Sequence, residues 1–213
     1  MTDLAKQPAI VIIDYGMGNV GSIVNMMKKI GHPARVSRDP AEIRSADRLI
    51  LPGVGSFDAG MENIRSFGLV EVLHRKVVEE KTPVLGICLG MQLLGERSAE
   101  GKLPGLGWVA AESVRFEGGG LRVPHMGWNT LEPQGGRTHW LFFDMPEEMR
   151  FYFVHSYKVV CQHREDVIAN SRYGDPFCAA LSHGHITGVQ FHPEKSHKFG
   201  MQLLKNFASH RPC

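Results

Sequence analysis

Thr82-Pro83-Val84-Leu85-Gly86-Ile87-Cys88-Leu89-Gly90-Met91-Gln92-Leu93-Leu94 is the stretch on which the reading of this chain turns. A short apolar run suits a buried strand, and the residues after Gly90 suit a helix. Between them lies G-x-C-x-G, the layout of a nucleophile elbow with cysteine at its apex. Glycines two before and two after the apex remove the β-carbons that would clash in so sharp a strand-to-helix turn. The turn lifts the Cys88 sulfur above the sheet edge, at the positive end of the following helix, where thiolate is favoured over thiol. The Leu89 N–H then lies where an oxyanion can form. The competing reading makes Cys88 a small, inert core residue, because free cysteine is usually buried.

Outward from the elbow, the chain alternates strands and helices. Residues 9–14 form a buried apolar strand, and Tyr15-Gly16-Met17-Gly18-Asn19 is a glycine-rich turn. Val20, Ile23, Val24, Met27 and Ile30 follow at helical spacing, and Gly31 stops the helix. That turn could cradle a phosphate, but it matches no full dinucleotide or P-loop pattern, so a plain connection competes. Residues 34–37 read as a strand, Asp39-Pro40 as a helix start, and residues 49–51 as a further strand ending in Pro52-Gly53-Val54-Gly55. Glycines at a strand's carboxyl end admit a ligand or make a simple turn. A helical region runs from Asp58 to about Lys81, with a break at Gly68. The pattern predicts a right-handed, mostly parallel open α/β sheet flanked by helices, with ligands at the carboxyl ends of the strands.

After about Gly95 the rhythm changes to short runs separated by turns. Residues 108–110, 113–116, 151–154, 178–181 and 188–191, with Gly118-Gly119-Gly120 between them, predict antiparallel β-structure added to the parallel core. Residues 196–210 carry Phe199, Leu203, Leu204 and Phe207 on one side and read as an amphipathic closing helix.

Bulk properties bound the function. The 213 residues suit one domain over 1–213, with residues 1–8 as a flexible N-terminus. Hydrophobic content of 43% and net charge of +2 argue for an ordinary globular chain with no electrostatic case for nucleic acid or an acidic membrane. Cys88, Cys161, Cys178 and Cys213 are far apart and form no C-x-x-C, which argues against a disulfide framework or zinc ribbon. No signal peptide or transmembrane run is evident, and a reduced, cytoplasmic protein is expected.

A cysteine nucleophile needs a base, and the base needs orienting. His183 and His185 flank Gly184 in a hairpin-like turn without a third metal ligand in sequence range, so no metal site is expected. His192 closes the run 188–191 and precedes Pro193 and Glu194. Proline biases His192 to extended backbone, where residues two apart share a side. Glu194 can then accept the imidazole N–H and fix its tautomer. Alone, this would read as a strand-end histidine beside a solvated acid. Joined to the elbow, it meets the nucleophile–base–orienter test.

Here the residues match a family. Gly86-Ile87-Cys88-Leu89-Gly90-Met91-Gln92 with His192-Pro193-Glu194 resembles the class I glutamine amidotransferases, which hydrolyse glutamine through a Cys-His-Glu site and pass the ammonia to a synthase. Asp14-Tyr15-Gly16-Met17-Gly18-Asn19, Leu51-Pro52-Gly53-Val54-Gly55-Ser56-Phe57, Val123-Pro124-His125-Met126-Gly127-Trp128-Asn129, Phe151-Tyr152-Phe153-Val154-His155-Ser156-Tyr157 and the stretch from Gly188 to Ser196 resemble one branch. That branch comprises the glutaminase subunits of imidazole glycerol phosphate synthase, an enzyme of histidine biosynthesis. The resemblance runs from about residue 9 to 208. It implies Cys88 as nucleophile, His192 as base and Glu194 as its orienter. It implies an oxyanion site from Leu89 and the Gly53-Val54 backbone, and glutamine held by Gly55, Gln92, Ser156 and Tyr157. It implies a Pro52–Gly55 strand that reorients when the partner's ligand binds, and no cofactor. The partner would be a (β/α)8-barrel cyclase that consumes the ammonia, forming imidazole glycerol phosphate and AICAR, and Met126, Trp128 and Asn129 would face it. Arg122, Lys158 and His197 depart from the usual pattern and leave room for a paralogue serving another synthase, such as one amidating a surface sugar. A catalytically inactive partner-stabilising subunit and a free-standing hydrolase are the remaining alternatives.

Overall fold

Four apolar strands, buried along their whole length, are the first consequence of the sequence. They are β1 (Ile10–Ile13), β3 (Arg48–Gly53), β4 (Val84–Cys88) and β13 (Ile186–Val189). Strands covered on both faces lose the polar alternation of half-solvated ones. The computed structural model describes residues 7–117, 120–135 and 139–210. Residues 1–6 of the expected flexible N-terminus, Gly118, Gly119 and Cys213 lie outside them.

In chain order, β1 is followed by α1 (Val20–Lys29), β2 (Ala34–Ser37), α2 (Pro40–Arg44), β3, α3 (Phe57–Ser66), α4 (Leu69–His74), β4 and α5 (Leu89–Leu93). Asp39 caps α2 by accepting from the Ala41 N–H at 2.7 Å. The long helical region breaks at Gly68, in the left-handed conformation at φ 68°, as its position in the sequence suggests. Next come β5 (Arg97–Ser98), β6 (Ala111–Arg115), β7 (His125–Thr130), β8 (Glu132–Pro133), β9 (Arg150–His155), β10 (Tyr157–Cys161), β11 (Val167–Tyr173), β12 (Asp175–His183), β13 and α6 (His197–Ser209).

The main sheet has the order β2-β1-β3-β4-β13-β12-β10-β6-β5, with β11 on β12 and β8 on β11. From β2 to β13 all pairings are parallel. From β13 onward they turn antiparallel, apart from β5 beside β6. β7 and β9 form a separate antiparallel ribbon. One apolar core packs α1, α6 and the phenylalanines of β9 against the sheet, and a second packs α3, α4 and α5 on the other face.

The run 108–110 is not a strand. The Trp108 and Val109 N–H groups both donate to the Leu94 carbonyl at 2.9 and 3.1 Å, so this segment caps the end of α5. It is apolar because Trp108 and Val109 are buried there, and burial without pairing mimics a strand in sequence. The closing strand also ends earlier than expected, at Val189.

Register sets the site. Gly53 is level with Cys88, and Val189 with Ile87. Three adjacent parallel strands thus end together, delivering the Gly53–Gly55 turn, Cys88 and the segment leading to His192 to one edge.

Candidate active site

The elbow has the strain its sequence implies. Cys88 sits at φ 55° and ψ −110°, a conformation that non-glycine residues rarely adopt and that costs about 1–3 kcal/mol. The flanking glycines are obligatory. A β-carbon on Gly86 would stand 2.8 Å from the Gly90 carbonyl, and one on Gly90 would collide with the Leu51 carbonyl oxygen. Leu89 is the first residue of α5, so its N–H has no partner within the helix. The Cys88 sulfur lies 3.8 Å from the Val154 carbonyl oxygen and 3.8 Å from Gln190 Nε2.

His192 and Glu194 come together by a different route from the expected one. Pro193, Glu194 and Lys195 form a 3-10 turn, so the pair does not lie on a continuous extended strand. His192 itself is extended at φ −103° and ψ 96°, and proline's fixed φ starts the turn. The turn is tied down by Ser196, whose buried hydroxyl donates to the His192 carbonyl at 2.6 Å and accepts from the Tyr152 N–H at 3.0 Å. The His192 N–H donates in turn to the Tyr152 carbonyl at 2.9 Å. His192 Nδ1 then meets Glu194 Oε1 at 2.8 Å, with both side chains about 1% exposed.

The electrostatics follow from that burial. Desolvation works to lower the His192 pKa, but the Cys88 sulfur and the Glu194 carboxylate together overcome it and raise the value to about 9. The neighbouring Tyr15 is held well above the ordinary phenol value, by burial first and by Cys88 second. Its hydroxyl donates to the Pro52 carbonyl at 2.5 Å, anchoring the strand end that leads to Gly53.

A cavity of about 220 Å³ opens over the elbow. Val54, Gly55, Cys88, Leu89, Gln92, Ser156 and Tyr157, all singled out in the sequence, line it. It is smaller than a drug-sized site and suits one small metabolite. Gly53 lies just behind, level with Cys88. Gln92 Nε2 donates to the Tyr157 carbonyl and to Gln190 Oε1, each at 3.2 Å. Met126 and Trp128 stand apart from the cavity on β7, exposed at 62% and 45%, and Trp128 stacks on His197 with rings 7° from parallel. Asn129 is half-buried and turned inward, donating to His125 Nε2 and the Arg172 carbonyl. His183 and His185 do flank a turn, with Gly184 at φ 60°. Among the described residues no group of three or more His, Cys, Asp or Glu could hold a metal.

A model of the family described as glutamine amidotransferase class-I matches residues 11–210. This chain belongs to the class I glutamine amidotransferases. It is 53% identical over 199 residues to the imidazole glycerol phosphate synthase subunit HisH 2 of Methanococcus maripaludis, covering 93% of this chain and 98% of that one. It is 52% identical, with the same coverage, to the subunit of the same name from Pseudomonas aeruginosa. A solved glutamine amidotransferase superposes with a TM-score of 0.73 at 22% identity, covering 93% of this chain and 96% of that one. In this family member no helix among the described residues is long and apolar enough to cross a membrane.

The amidotransferase cavity also contains residues the sequence reading passed over: Glu100, Pro124, Val154 and His155. Glu100 lies in the turn after β5, its Oε2 accepting from the Phe57 N–H at 2.8 Å, and nothing local in its sequence marks it. Val154 and His155 lay inside a quoted motif but carried no role. Ser196 closes another motif, and a serine three residues beyond a His-Pro pair is the one local signal of a turn cap.

Proposed function

We propose that this chain is the glutaminase subunit of an imidazole glycerol phosphate synthase, supplying ammonia for histidine biosynthesis. The observation that carries the reading is the fully buried His192–Glu194 pair coupled to a cysteine held at positive φ on the wall of an amino-acid-sized cavity. His192, its pKa raised to about 9, is the base that takes the Cys88 thiol proton. The Cys88 sulfur attacks the side-chain carboxamide carbon of glutamine. The Leu89 N–H and a backbone N–H of the Gly53-Val54 segment hold the oxyanion. His192 then gives its proton to the departing nitrogen, releasing ammonia and leaving a γ-glutamyl thioester. Water activated by His192 cleaves the thioester to glutamate and regenerates the thiol, so one glutamine and one water yield one glutamate and one ammonia. Glu194 holds the imidazole in one tautomer throughout. Gly55, Gln92, Ser156 and Tyr157 hold the substrate, and Glu100 supplies a negative charge for its α-ammonium group.

The exposed Met126–Trp128 surface on β7 faces the partner, a (β/α)8-barrel cyclase. The relatives' names as subunits of a synthase support a partner of that kind. A second reading is a paralogue feeding another synthase; the relatives at 53% and 52% identity both carry the numeral 2 in their names.

The test is glutaminase activity of the purified chain, alone and with the cyclase plus its nucleotide ligand. Stimulation by the partner, with a loss of about 1,000-fold or more in Cys88→Ser, is the expected outcome. High activity without a partner would point to a free-standing hydrolase, and growth of a histidine-requiring deletion strain separates the two acceptor readings.

A further inference from the structure

Two histidines are buried in an aromatic box at the edge of the cavity, and one of them, His155, lines it. His125 stacks on Tyr173 at 4.2 Å and on Phe153 at 5.0 Å, and Phe116 and Phe177 close the other sides around His125 and His155. Neither ring takes part in the chemistry above, yet both are fully bonded. His155 Nδ1 meets the Tyr157 carbonyl at 2.8 Å, His155 Nε2 meets His125 Nδ1 at 3.0 Å, and His125 Nε2 meets Asn129 Nδ2 at 3.2 Å.

Elementary donor–acceptor rules give this chain a single direction. A carbonyl oxygen only accepts, so His155 must carry its proton on Nδ1. Burial holds His155 at about 3 and His125 at about 4, so both rings are neutral at physiological pH. His155 Nε2 is therefore bare and accepts, which places the His125 proton on Nδ1 as well. His125 Nε2 then accepts from the Asn129 amide. Every donor has an acceptor, and no other tautomer satisfies the run.

The far end of the run reaches the cavity. The Tyr157 carbonyl takes donors from two sides, His155 Nδ1 and Gln92 Nε2. The second Gln92 Nε2 hydrogen goes to Gln190 Oε1, and Gln190 Nε2 points to the Cys88 sulfur. With both amide hydrogens committed, Gln92 presents its oxygen, an acceptor, to whatever fills the cavity. We propose that His155, oriented by His125 and Asn129, is a positioning residue that fixes the Tyr157 carbonyl and through it the Gln92 amide, so that the cavity selects a ligand bearing N–H donors. The substrate half of this proposal rests on the glutaminase reading; the hydrogen-bond half does not.

The test has two arms, both on the full chain. Nitrogen-15 spectra of histidine-labelled protein between pH 5.5 and 8 should show two rings with a proton on Nδ1 and a bare Nε2, the less common tautomer of free imidazole. An Nε2–H tautomer at either ring, or titration of either within that range, overturns the proposal. In the second arm glutamine hydrolysis is measured with the cyclase partner and its ligand. His155→Leu should raise KM for glutamine about tenfold while kcat stays within about threefold. His155→Asn, whose amide nitrogen stands where Nδ1 stood, should restore KM, whereas His155→Gln should not. An unchanged KM in His155→Leu refutes the positioning role. Absence of glutaminase activity in the unmodified complex would instead refute the functional reading and the substrate half together, while the spectra still decide the hydrogen-bond run.

Discussion

Removing the Cys88 sulfur should release the proton that the site holds. The His192 pKa stands at about 9 against an ordinary 6.5, and burial, the largest single influence, acts to lower it. The upward pull comes from the Cys88 sulfur and the Glu194 carboxylate. Cys88→Ala therefore removes one of the two groups that lift the His192 value. Losing a neighbouring negative group lowers a histidine pKa by about one unit, so the His192 value should fall by about that much, equivalent to about 1.4 kcal/mol. The direction is fixed: the imidazolium persists to about pH 9 in the unmodified chain and gives up its proton at lower pH in the variant. Alanine suits the site because it tolerates the Cys88 backbone no worse than cysteine and leaves the His192–Glu194 contact in place. Titration of the His192 ring by nitrogen-15 spectroscopy from pH 5.5 to 10 measures both midpoints. An unmodified midpoint at or below 6.5, or a variant midpoint unchanged from it, would refute the claim that sulfur and imidazole form one electrostatic unit.

Two glycines make opposite predictions. Gly90→Ala should cost about 3 kcal/mol or more in urea denaturation because its β-carbon meets the Leu51 carbonyl of a buried strand, whereas Gly21→Ala, open to space in α1, should stabilise by about 0.5–1 kcal/mol. Ser196→Ala leaves the Tyr152 N–H without its acceptor and the turn that carries His192 and Glu194 without its tie. Stability should fall by about 2–3 kcal/mol, and glutaminase kcat should fall with it when assayed under fully folded conditions. Trp128→Ala should change the stability of the isolated chain by no more than about 1 kcal/mol but weaken association with the cyclase by about 2 kcal/mol, read by titration calorimetry. Unchanged affinity would remove β7 from the interface.

The parts of this molecule that could be read from sequence are those whose cause is local. The elbow was legible because the clash Gly86 avoids is with the Gly90 backbone four residues on, although the one Gly90 avoids is with the distant Leu51 carbonyl, and the break at Gly68 because a left-handed residue ends a helix wherever it stands. Strands β1, β3, β4 and β13 were legible because burial on both faces leaves no polar alternation, and the same signal misled at Trp108 and Val109, where burial comes without pairing. His192 and Glu194 were paired correctly on a mistaken geometry. An extended strand and a proline-started 3-10 turn both bring a residue and its second neighbour within reach, so the contact survives an error about the backbone. What sequence could not show is which distant segments press against the elbow. Glu100 reaches the cavity from a loop, and Val154 and His155 reach it because β9 docks its Tyr152 backbone onto the His192 turn. That docking has a consequence for how the site responds to its surroundings. Tyr152 is level with Trp128 in the β7–β9 ribbon, while Val154, two residues on, touches the Cys88 sulfur. One short ribbon therefore joins an exposed aromatic surface to both the Cys88 sulfur and the His192 turn.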